Sequence, residues 1–442
     1  MFSLGGGIMT RPIIKMRYEQ EPVRDILCID VKSFFASVEA VERRIHPLKA
    51  MIAVVSKPNR EGGLVLASSP RVKERYGIKT GSRVYDIPKY AQIQIVEPRM
   101  ALYLQKNLEI VQIFRQYVPD EDLHIYSIDE SFLDVTGSKQ LFGHAVEIAH
   151  KIQRQIFREL HLVTTVGIGD NPLLAKLALD QEAKYNAPTY RATWHYQDVE
   201  EKLWPITPLS DFWGIGKQTE RTLHQLGIRS IYDLAQADLT LLKRKFGVMG
   251  EQLFFHAHGI DRTRLSDVYR PSSTSFSKNQ ILDRDYTDPR EVELVIREMT
   301  EAIALRLRQH QQVTRLISLG IGYSKHCEAS GFRRQMSIDA TDSTQRLIQY
   351  ALQLFNQYYD HHPVRTVNIS LGKRQSKQFT QLDLFTAPDE VLRDERLDDV
   401  IDSIRQRFGY TSLLHASSLL QGGTAIKRSK LLGGHQANTN TD

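Results

Sequence analysis

The sequence predicts a multidomain α+β protein. Its 442 residues are more than one hydrophobic core usually supports, so we expect roughly three domains. Patterns typical of short strands alternate with helical patterns up to about residue 190, a mainly helical region follows, and a second alternating region begins near residue 275. Three regions of different architecture are therefore expected.

Composition excludes several classes of protein. Hydrophobic residues make up 41% of the chain and charged residues 25%, and no apolar run reaches the ~18 residues that a membrane span requires. A net charge of +6 and a pI near 9.0 are typical of a protein with a polyanionic partner. The two cysteines, Cys28 and Cys327, have neither zinc-site nor disulfide spacing, which favours a reducing cytoplasm.

The first region alternates strands and helices. Residues 1–24 precede it, lack the apolar core of an export signal and are expected to form a disordered leader. The predicted strands are residues 26–31, 51–56, 63–68, 123–127, 131–135 and 164–168, and the predicted helices are residues 33–44, 101–117, 142–159 and 171–183. Prolines between residues 187 and 210 end the region.

Two carboxylates stand together at the turn between two of these strands. Asp129 and Glu130 lie at this turn, and tight turns project side chains into solvent or into a site, so both are expected to be accessible. Asp30 ends the first predicted strand. Because like charges repel, a cation is the natural reason to hold three carboxylates together, and Mg²⁺ prefers oxygen ligands. The alternative is that Asp129 and Glu130 form an ordinary solvated turn.

A pair of magnesium ions at these carboxylates would define the chemistry. Two ions about 3.5 to 4 Å apart can activate a hydroxyl, stabilise a pentavalent phosphorus and neutralise a leaving pyrophosphate. The three carboxylates therefore predict nucleotidyl transfer that depends on two Mg²⁺ ions.

Aromatic and cationic residues near the carboxylates would bind the nucleotide. Phe34 and Phe35 follow Asp30; at least one of the rings is expected to belong to the core, and Phe35 is the candidate for the ring that abuts the sugar and excludes a 2′-hydroxyl. The candidates for triphosphate contacts, each of which could instead be an ordinary surface residue, are Ser68, Arg71, Lys73 and Lys184.

The second and third regions have patterns that suit a nucleic acid. In residues 191–265, a Gly-x-Gly turn at Gly214 and Gly216 precedes a predicted helix at 217–226, so that Lys217 and backbone N–H groups can meet a phosphate at the helix N-terminus. A polar link leads to residues 275–373, whose elements follow the order β-α-β-β-α-β. The predicted helices there are 289–309 and 344–358, and the predicted strands include 315–321, 331–338 and 364–371.

These motifs resemble those of the Y-family lesion-bypass DNA polymerases, in particular their UmuC-like branch in Gram-positive bacteria. The matching segments are residues 30–39, 126–130, 165–169, 174–178 and 214–216. The first two, in which Asp30 and Asp129 are 99 positions apart, are the most specific. The resemblance runs from about residue 25 to residue 385, which is nearly the whole chain.

The resemblance implies a right-hand polymerase with palm and fingers in residues 25–190, a helix-hairpin-helix thumb in 191–265 and a little finger in 275–373. It implies low-fidelity, template-directed synthesis past damaged DNA, in which a dNTP is joined to a primer 3′-hydroxyl during the SOS response. The family's metal ligands correspond to Asp30, the backbone carbonyl of Val31, Asp129 and Glu130. Its sugar-excluding ring corresponds to Phe35, and its triphosphate lysine to Lys184.

The chain departs from the family pattern at two places. Many relatives carry a second acid two residues after the first, where this chain has Lys32. The tyrosine and arginine with which many relatives grip the triphosphate are replaced by Arg71 and Glu74, so Lys73 or Arg75 is expected to substitute for them.

Residues 374–442 are predicted to be mostly unstructured. Within them, Gln381, Leu382, Leu384 and Phe385 form an exposed apolar motif that resembles a sliding-clamp-binding peptide. The implied partners are primer-template DNA, a dNTP, the β subunit that forms the sliding clamp, and SOS accessory proteins, all in the cytoplasm and none in a membrane.

Two other functions are compatible with parts of the pattern. A non-catalytic DNA-binding accessory protein recruited to the clamp would keep the fold but would be expected to have lost its metal acids, and all three are present. A nucleotidyl cyclase on a related palm would need neither a duplex-holding region nor a clamp peptide, so it ranks last.

Overall fold

The computed structural model describes residues 14–267, 271, 273–377 and 388–437. The chain divides into two compact units, one up to residue 268 and one spanning residues 269–437. This division falls between the predicted thumb and the predicted little finger. The clamp-like motif at 381–385 and residues 1–13 of the predicted leader lie outside the described residues.

The first unit contains two sheets. Its strands are β1 (Ile26–Val31), β2 (Ile52–Val55), β3 (Val65–Ser68), β4 (Gln94–Val96), β5 (Leu123–Ile125), β6 (Glu130–Asp134), β7 (Thr164–Gly169) and β8 (Arg191–Trp194). Five strands form a sheet in the order β5-β6-β1-β7-β8, and three form a smaller sheet in the order β3-β2-β4. The central strand β1 is antiparallel to both β6 and β7. All six strands predicted from the sequence are confirmed.

Helices cover both faces of the larger sheet. The α-helices described in this unit, some of which pack elsewhere, are α1 (Phe34–Glu42), α2 (Pro70–Tyr76), α3 (Met100–Phe114), α4 (Lys139–Phe142), α5 (Ala145–Leu160), α6 (Pro172–Ala178), α7 (Lys217–Gln225), α8 (Ile231–Ala235), α9 (Leu239–Phe246) and α10 (Val248–Ala257). Because side chains alternate along a strand, Ile26 and Cys28 pack with α6 and α7–α10, while Leu27 and Ile29 pack with α3 and α5.

Two glycines bring α6 into direct backbone contact with β7. A Cβ atom at Gly167 would lie 2.0 Å from the carbonyl oxygen of Ala175, and one at Gly169 would lie 2.4 Å from the backbone nitrogen of Ala175. Both are closer than any real side chain tolerates, so only glycine permits this approach. The helix begins at Asn171, whose side chain accepts a hydrogen bond from the backbone N–H of Leu174.

Residues 14–24 do not form a disordered leader. The ring of Tyr18 stacks on Tyr196 with centroids 5.0 Å apart, and its hydroxyl donates to the carbonyl of His258 at 3.0 Å. Arg262 donates to the carboxylate of Glu21 at 2.8 Å. The sequence prediction is wrong for these residues because their contacts are made with residues more than 100 positions away in the sequence.

The second unit begins with the predicted β-α-β-β-α-β order, which is confirmed. Its elements are β9 (Phe276–Tyr286), α11 (Pro289–Gln309), β10 (Gln312–Tyr323), β11 (Gly331–Thr341), α12 (Thr344–Tyr358), β12 (Val364–Gly372) and the short β13 (Gln375–Ser376). The main strands form an antiparallel sheet in the order β11-β10-β12-β9, and β13 pairs with β10. Both helices pack on the apolar face of this sheet.

The segment after residue 388 is folded, contrary to the prediction that residues 374–442 are mostly unstructured. It contains α13 (Pro388–Phe408), α14 (Ala425–Ser429), β14 (Leu431–Leu432) and β15 (His435–Gln436). In the described part of this segment, Ala425 is the one hydrophobic side chain that is fully buried. The sequence of α13 lacks the apolar periodicity of an amphipathic helix because ion pairs hold this helix to α11, as between Arg405 and Glu301 at 2.9 Å.

In the described part of the chain, no helix combines the length and the apolar character needed to cross a membrane.

Candidate active site

A cavity of about 770 Å³ lies at the end of β1. Its walls come from the start of α1, from β3 and α2, from the loop before β6 and from residues 184–190. It brings together most of the residues that the sequence assigned to the metal and the nucleotide, namely Asp30, Val31, Phe34, Phe35, Arg71, Lys73, Asp129 and Lys184. Glu130 and Ser68 are predicted site residues that do not line it.

Strand register places the carboxylates side by side. Asp30 at the end of β1 lies opposite Glu130, the first residue of β6. The backbone N–H of Val31 donates to the carbonyl of Asp129 at 2.9 Å, which ties the loop before β6 to β1. The side chain of Asp129 accepts a hydrogen bond from the Ser127 hydroxyl at 2.7 Å. The sheet therefore holds together two chain segments that are far apart in sequence.

Glu130 is buried, contrary to the prediction that it is accessible at a turn. Its side chain is 7% exposed, because it belongs to β6 and faces α6. One carboxylate oxygen accepts a hydrogen bond from the ammonium of Lys176 at 2.6 Å, and the other accepts one from the thiol of Cys28 at 3.4 Å. Asp129 is only partly buried. The two adjacent acids thus have different surroundings.

A chain of alternating charges runs from Glu130 to Lys184. Lys176 contacts Glu130 at 2.6 Å and Asp180 at 3.0 Å, and Asp180 contacts Lys184 at 2.7 Å. Although burial acts in the opposite direction, Cys28, Asp180 and Glu130 raise the pKa of Lys176. The ammonium therefore stays charged, and it links the buried acid to the predicted triphosphate lysine.

The carboxylates carry negative charge that the protein compensates only in part. Burial, with the neighbouring Asp129 and Glu130 carboxylates, raises the pKa of Asp30 to about 7, even though Lys184 and Lys176 act in the opposite direction. Within the described ranges, no three His, Cys, Asp or Glu side chains are already arranged to hold a metal ion. Glu130 is engaged with Lys176, so of the three predicted metal-binding acids only Asp30 and Asp129 line the cavity.

Three lysines gather at the same cavity. The ammonium of Lys32 donates to the carbonyl of Lys184 at 2.8 Å and lies 4.3 Å from the ring centroid of Tyr190. Partial burial and the nearby ammonium of Lys184 lower the pKa of both Lys32 and Lys73, although Asp30 opposes this. Lys32 thus replaces the second acid of many relatives with a cation, and the cluster offers several positive charges to an anionic ligand.

Ser68, which the sequence predicts to contact the triphosphate, does not line this cavity. Its side chain is fully buried in β3, and its hydroxyl donates to the carbonyl of Ile78 at 2.6 Å. Its one donor is therefore used within the fold. Thr80 lines the cavity nearby instead.

Phe35 lines the cavity, and its ring is held in place by stacking on Tyr103. Phe34 is 2% exposed and belongs to the core, whereas Phe35 is half-buried and stacks on Tyr103 with centroids 4.4 Å apart and the rings 13° from parallel. The Tyr103 hydroxyl donates to the buried carboxylate of Glu39 at 2.8 Å, and Arg99 donates to the same carboxylate at 2.9 Å. The stack and its hydrogen bonds fix the plane of the Phe35 ring.

The sequence analysis missed Lys176, Tyr103 and Glu39. A signal was present for two of them, since Glu39 lies between the apolar residues Val38 and Ala40 and Lys176 lies at the centre of the apolar run 173–179. A charged residue in such a position is rarely buried without a partner. Tyr103 carries no comparable signal, because an aromatic residue on an amphipathic helix is usually part of the core.

The predicted phosphate-binding turn is exposed. Gly214 has φ 93°, in the left-handed region that favours glycine, and Gly216 precedes α7 without a side-chain cap. A Cβ at either glycine would meet nothing within 4 Å, and Lys217 is exposed beside them. The neighbouring Trp213 donates to the Tyr126 hydroxyl at 3.4 Å, so this turn adjoins the loop that carries Asp129.

One face of the sheet in the second unit carries mostly short polar side chains, of which Ser318 and Ser370 at its centre are buried, with the longer Arg333 and Gln335 on β11. Two rows that cross four strands consist of Asn279, Asn368, Gly320 and Arg333, and of Ser277, Ser370, Ser318 and Gln335. Short side chains leave room for a ligand backbone to approach the sheet, and their hydroxyl and amide groups can bond to phosphate or sugar oxygens. This face is a candidate nucleic-acid surface, in the region 275–373 that the sequence predicts to contact DNA, although these residues were not singled out from the sequence.

Three family matches cover most of the chain. Residues 29–180 match the impB/mucB/samB family, residues 196–228 match the HHH motif of the IMS family, and residues 273–384 match the impB/mucB/samB family C-terminal domain.

Relatives match along nearly the full length. The chain is 45% identical over 421 residues to the putative UV-damage repair protein UvrX of Bacillus subtilis, covering 95% of this chain and 99% of that protein. It is 33% identical over 413 residues to DNA polymerase IV 2 of the same organism, covering 93% and 98%. A solved Y-family DNA polymerase chimera, Dbh-Dpo4(243-245)-Dbh, shares the fold, with a TM-score of 0.63 and 19% identity over 79% of this chain and 98% of that chain.

The fold is that of a right-hand polymerase with a palm, fingers, a helix-hairpin-helix thumb and a little finger. The chain belongs to the impB/mucB/samB family of Y-family translesion polymerases and is a DNA-directed DNA polymerase.

Proposed function

We propose that the chain copies damaged templates by two-metal nucleotidyl transfer at the cavity beside β1. The primer 3′-oxygen forms a bond to the α-phosphorus of a dNTP, the bond from that phosphorus to the bridging oxygen of the β-phosphate breaks, and pyrophosphate leaves as the hydroxyl proton is lost. The observation that supports this best is the single cavity in which Asp30 and Asp129 lie near Lys32, Lys73 and Lys184.

The donor set fits Mg²⁺. Asp30, Asp129 and the carbonyl of Val31 would hold the ions, and Glu130 would join them on leaving Lys176. The raised pKa of Asp30 is consistent with the fit, because burial and the neighbouring Asp129 and Glu130 carboxylates disfavour its negative charge, and a bound cation would favour it. When bound, the ions supply Lewis-acid stabilisation of the phosphoryl oxygens and of the attacking hydroxyl.

Residues of the chain itself would bind and orient the nucleotide. Lys73 and Lys184, with Arg71 at the start of α2, would neutralise the triphosphate. Phe35 would lie against the sugar, where a 2′-hydroxyl would clash with its ring. The fingers side of the cavity includes Leu66 and Ala67, whose side chains offer no hydrogen bond to a base. Such a site would tolerate a distorted base and would discriminate poorly against mismatches.

DNA would be held mainly through its phosphates. The exposed turn at Gly214 and Gly216, with Lys217, offers backbone N–H groups to one strand. The polar face of the little-finger sheet, including Arg333, would contact the duplex backbone. We expect the affinity to fall steeply with salt, as counterion release requires.

A clamp contact is the remaining part of the proposal. Gln381, Leu382, Leu384 and Phe385 would anchor the enzyme to the β sliding clamp in the cytoplasm, with SOS accessory proteins as further partners. Deletion of residues 381–385 should leave extension of a naked primer intact and remove stimulation by the clamp. Loss of basal activity in the deletion variant would instead assign the segment to the fold.

Primer extension opposite an abasic site tests the central proposal. The purified chain should insert and extend in the presence of Mg²⁺, and Asp129→Ala should reduce the rate by roughly a thousandfold or more while the affinity for primer-template stays the same. Extension that survives in Asp129→Ala would reject the mechanism. DNA binding without any extension by the unaltered chain would favour a non-catalytic accessory protein.

A further inference from the structure

A second cavity lies beside the nucleotide cavity, on the outer side of α5. It has a volume of about 920 Å³ and lies between α5, residues 187–191 and the segment around His46. Its basic and histidine side chains are His46, His150, Lys151, Arg154, Arg158 and Arg191, and no aspartate or glutamate is among the described residues that line it. We refer to it as the α5 groove.

The positive charge of the α5 groove is largely uncompensated. In the described part of the chain Arg154 forms no ion pair, and Arg158 pairs only with the neighbouring exposed Glu159. Lys151 and Arg191 donate to neutral oxygens, the carbonyl of Phe142 and the amide oxygen of Gln153, each at 2.7 Å. Neutral acceptors orient these cations without cancelling their charge, so the groove attracts anions.

One buried polar atom at the groove lacks a partner. Thr164, in β7, is 3% exposed and lines the groove, and its hydroxyl makes no hydrogen bond within the described residues. A buried hydroxyl without a partner is costly, so a ligand oxygen or an ordered water is expected beside it.

The α5 groove adjoins the triphosphate end of the nucleotide cavity. Leu48, Ala187 and Tyr190 line both spaces. The Lys32 ammonium lies over the ring of Tyr190 and also donates a hydrogen bond to the backbone carbonyl of Lys184. The predicted triphosphate lysine and the groove are therefore connected through one short segment of chain.

We propose that the α5 groove binds inorganic pyrophosphate after it leaves the nucleotide cavity. The inference rests on the proposed function, because nucleotidyl transfer is the step that releases this anion. Pyrophosphate carries several negative charges on a small body, which suits a groove with flexible arginines and no carboxylates. The triphosphate of the incoming dNTP is also a polyanion that the same cations would attract. An experiment must therefore distinguish binding of the incoming triphosphate from binding of the departing pyrophosphate.

Product inhibition by pyrophosphate distinguishes binding of the departing pyrophosphate from binding of the incoming dNTP. The double variant Arg154→Ala/Arg158→Ala removes two groove cations that are exposed on α5, and Arg115→Ala, which removes an exposed cation paired with Asp120 away from the groove, is the matched control. The double variant should raise the inhibition constant of pyrophosphate about tenfold, the size expected for losing one or two charge-assisted contacts, with the KM for dNTP nearly unchanged. Arg115→Ala should change neither constant.

Three outcomes would overturn the proposal. An unchanged inhibition constant means that pyrophosphate does not use the groove. A rise in the KM for dNTP that equals the rise in the inhibition constant means that the groove steers the incoming triphosphate. Equal binding of labelled pyrophosphate to the double variant and to the unaltered chain, measured by equilibrium dialysis with Mg²⁺, rejects the site without depending on activity. Absence of extension by the unaltered chain would reject the proposed function, and the dialysis would still decide the groove.

Discussion

Two charge clusters in this protein are built in opposite ways. In the nucleotide cavity like charges gather, with Asp30 beside Asp129 and Lys32 beside Lys184, and burial together with these neighbours raises the pKa of Asp30 and lowers that of Lys32. Between α13 and the core of the second unit, opposite charges alternate: Arg308 lies 2.6 Å from Asp402 and 3.2 Å from Asp398.

The difference shows which cluster needs a ligand. The cluster on α13 is complete in itself, because each buried charge has a partner within the unit, as Arg405 has in Glu301. The cavity cluster is different, since no ion pair joins Asp30 or Asp129 to Lys32 or Lys73 in the described part of the chain, although all four residues line the same cavity. Cations for the acids and phosphates for the lysines would complete it.

Breaking the complete cluster should have the largest effect on stability. Glu301→Gln leaves Arg405 buried, at 3% side-chain exposure, without its charge partner. The expected loss is ~3–5 kcal/mol in the free energy of unfolding of the second unit. Urea unfolding followed by hydrogen exchange in α11 and α13 would measure it.

The control for this variant is the double replacement Glu301→Leu/Arg405→Met. Removing both charges should recover much of the lost stability, since an apolar pair of similar volume often replaces a buried ion pair without loss. A double variant that is less stable than Glu301→Gln would show that the pair is not an isolated unit. Extension of a naked primer by either folded variant should be unchanged.

Breaking the ion pair between Lys176 and Glu130 should lower stability by a smaller amount, and the loss should depend on whether Mg²⁺ is present. Lys176→Met removes the ammonium from the buried Glu130 carboxylate, so the chain should lose roughly 2–3 kcal/mol of stability without divalent cations. Because Mg²⁺ would then supply the missing counter-charge, its addition should raise the Tm of the variant more than that of the unaltered chain. An equal rise in both proteins would contradict the role assigned to Lys176.

These clusters also show what the sequence could and could not predict. The first sheet was predictable because β1 is an apolar run with Asp30 near its end, and Asp129 and Glu130 lie at the start of the equally clear strand β6. The burial of Glu130 was not, because it depends on Lys176, 46 positions away. The fold of residues 388–437 was not predictable either, since α13 is held by ion pairs and an apolar periodicity is the main sequence signal of a helix.

Sugar selection should respond to the support of Phe35. Phe35→Ala should lower the preference for dNTP over rNTP by roughly 10- to 100-fold, because a clash that excludes the 2′-hydroxyl is removed. Tyr103→Leu, which removes the stacked ring but not the gate, should give a smaller loss of preference. Single-nucleotide insertion with matched dNTP and rNTP pairs measures both. If Phe35→Ala leaves the preference unchanged, another residue excludes the hydroxyl.

A like-charge cluster in the second unit provides the smallest and most specific test. Burial, with the nearby Arg428 on α14 and Arg306 on α11, lowers the pKa of Lys278 from its ordinary value of 10.5 to about 8. The unfolded chain therefore binds more protons than the folded chain between about pH 8 and 10.5, so the contribution of Lys278 to the free energy of unfolding rises with pH across this window.

Lys278→Met should remove this rise and should stabilise the second unit at pH 7, where the charged ammonium is a cost. Lys278→Arg should keep the cost at every pH, because a guanidinium does not lose its proton in this range. Denaturant unfolding of the three proteins at pH 7 and pH 9.5 measures the effect, and the difference between variants cancels the titration of tyrosines and other lysines. If the unaltered chain and Lys278→Met show the same pH dependence, no proton is linked to Lys278, and the crowding of like charges is then confined to the nucleotide cavity.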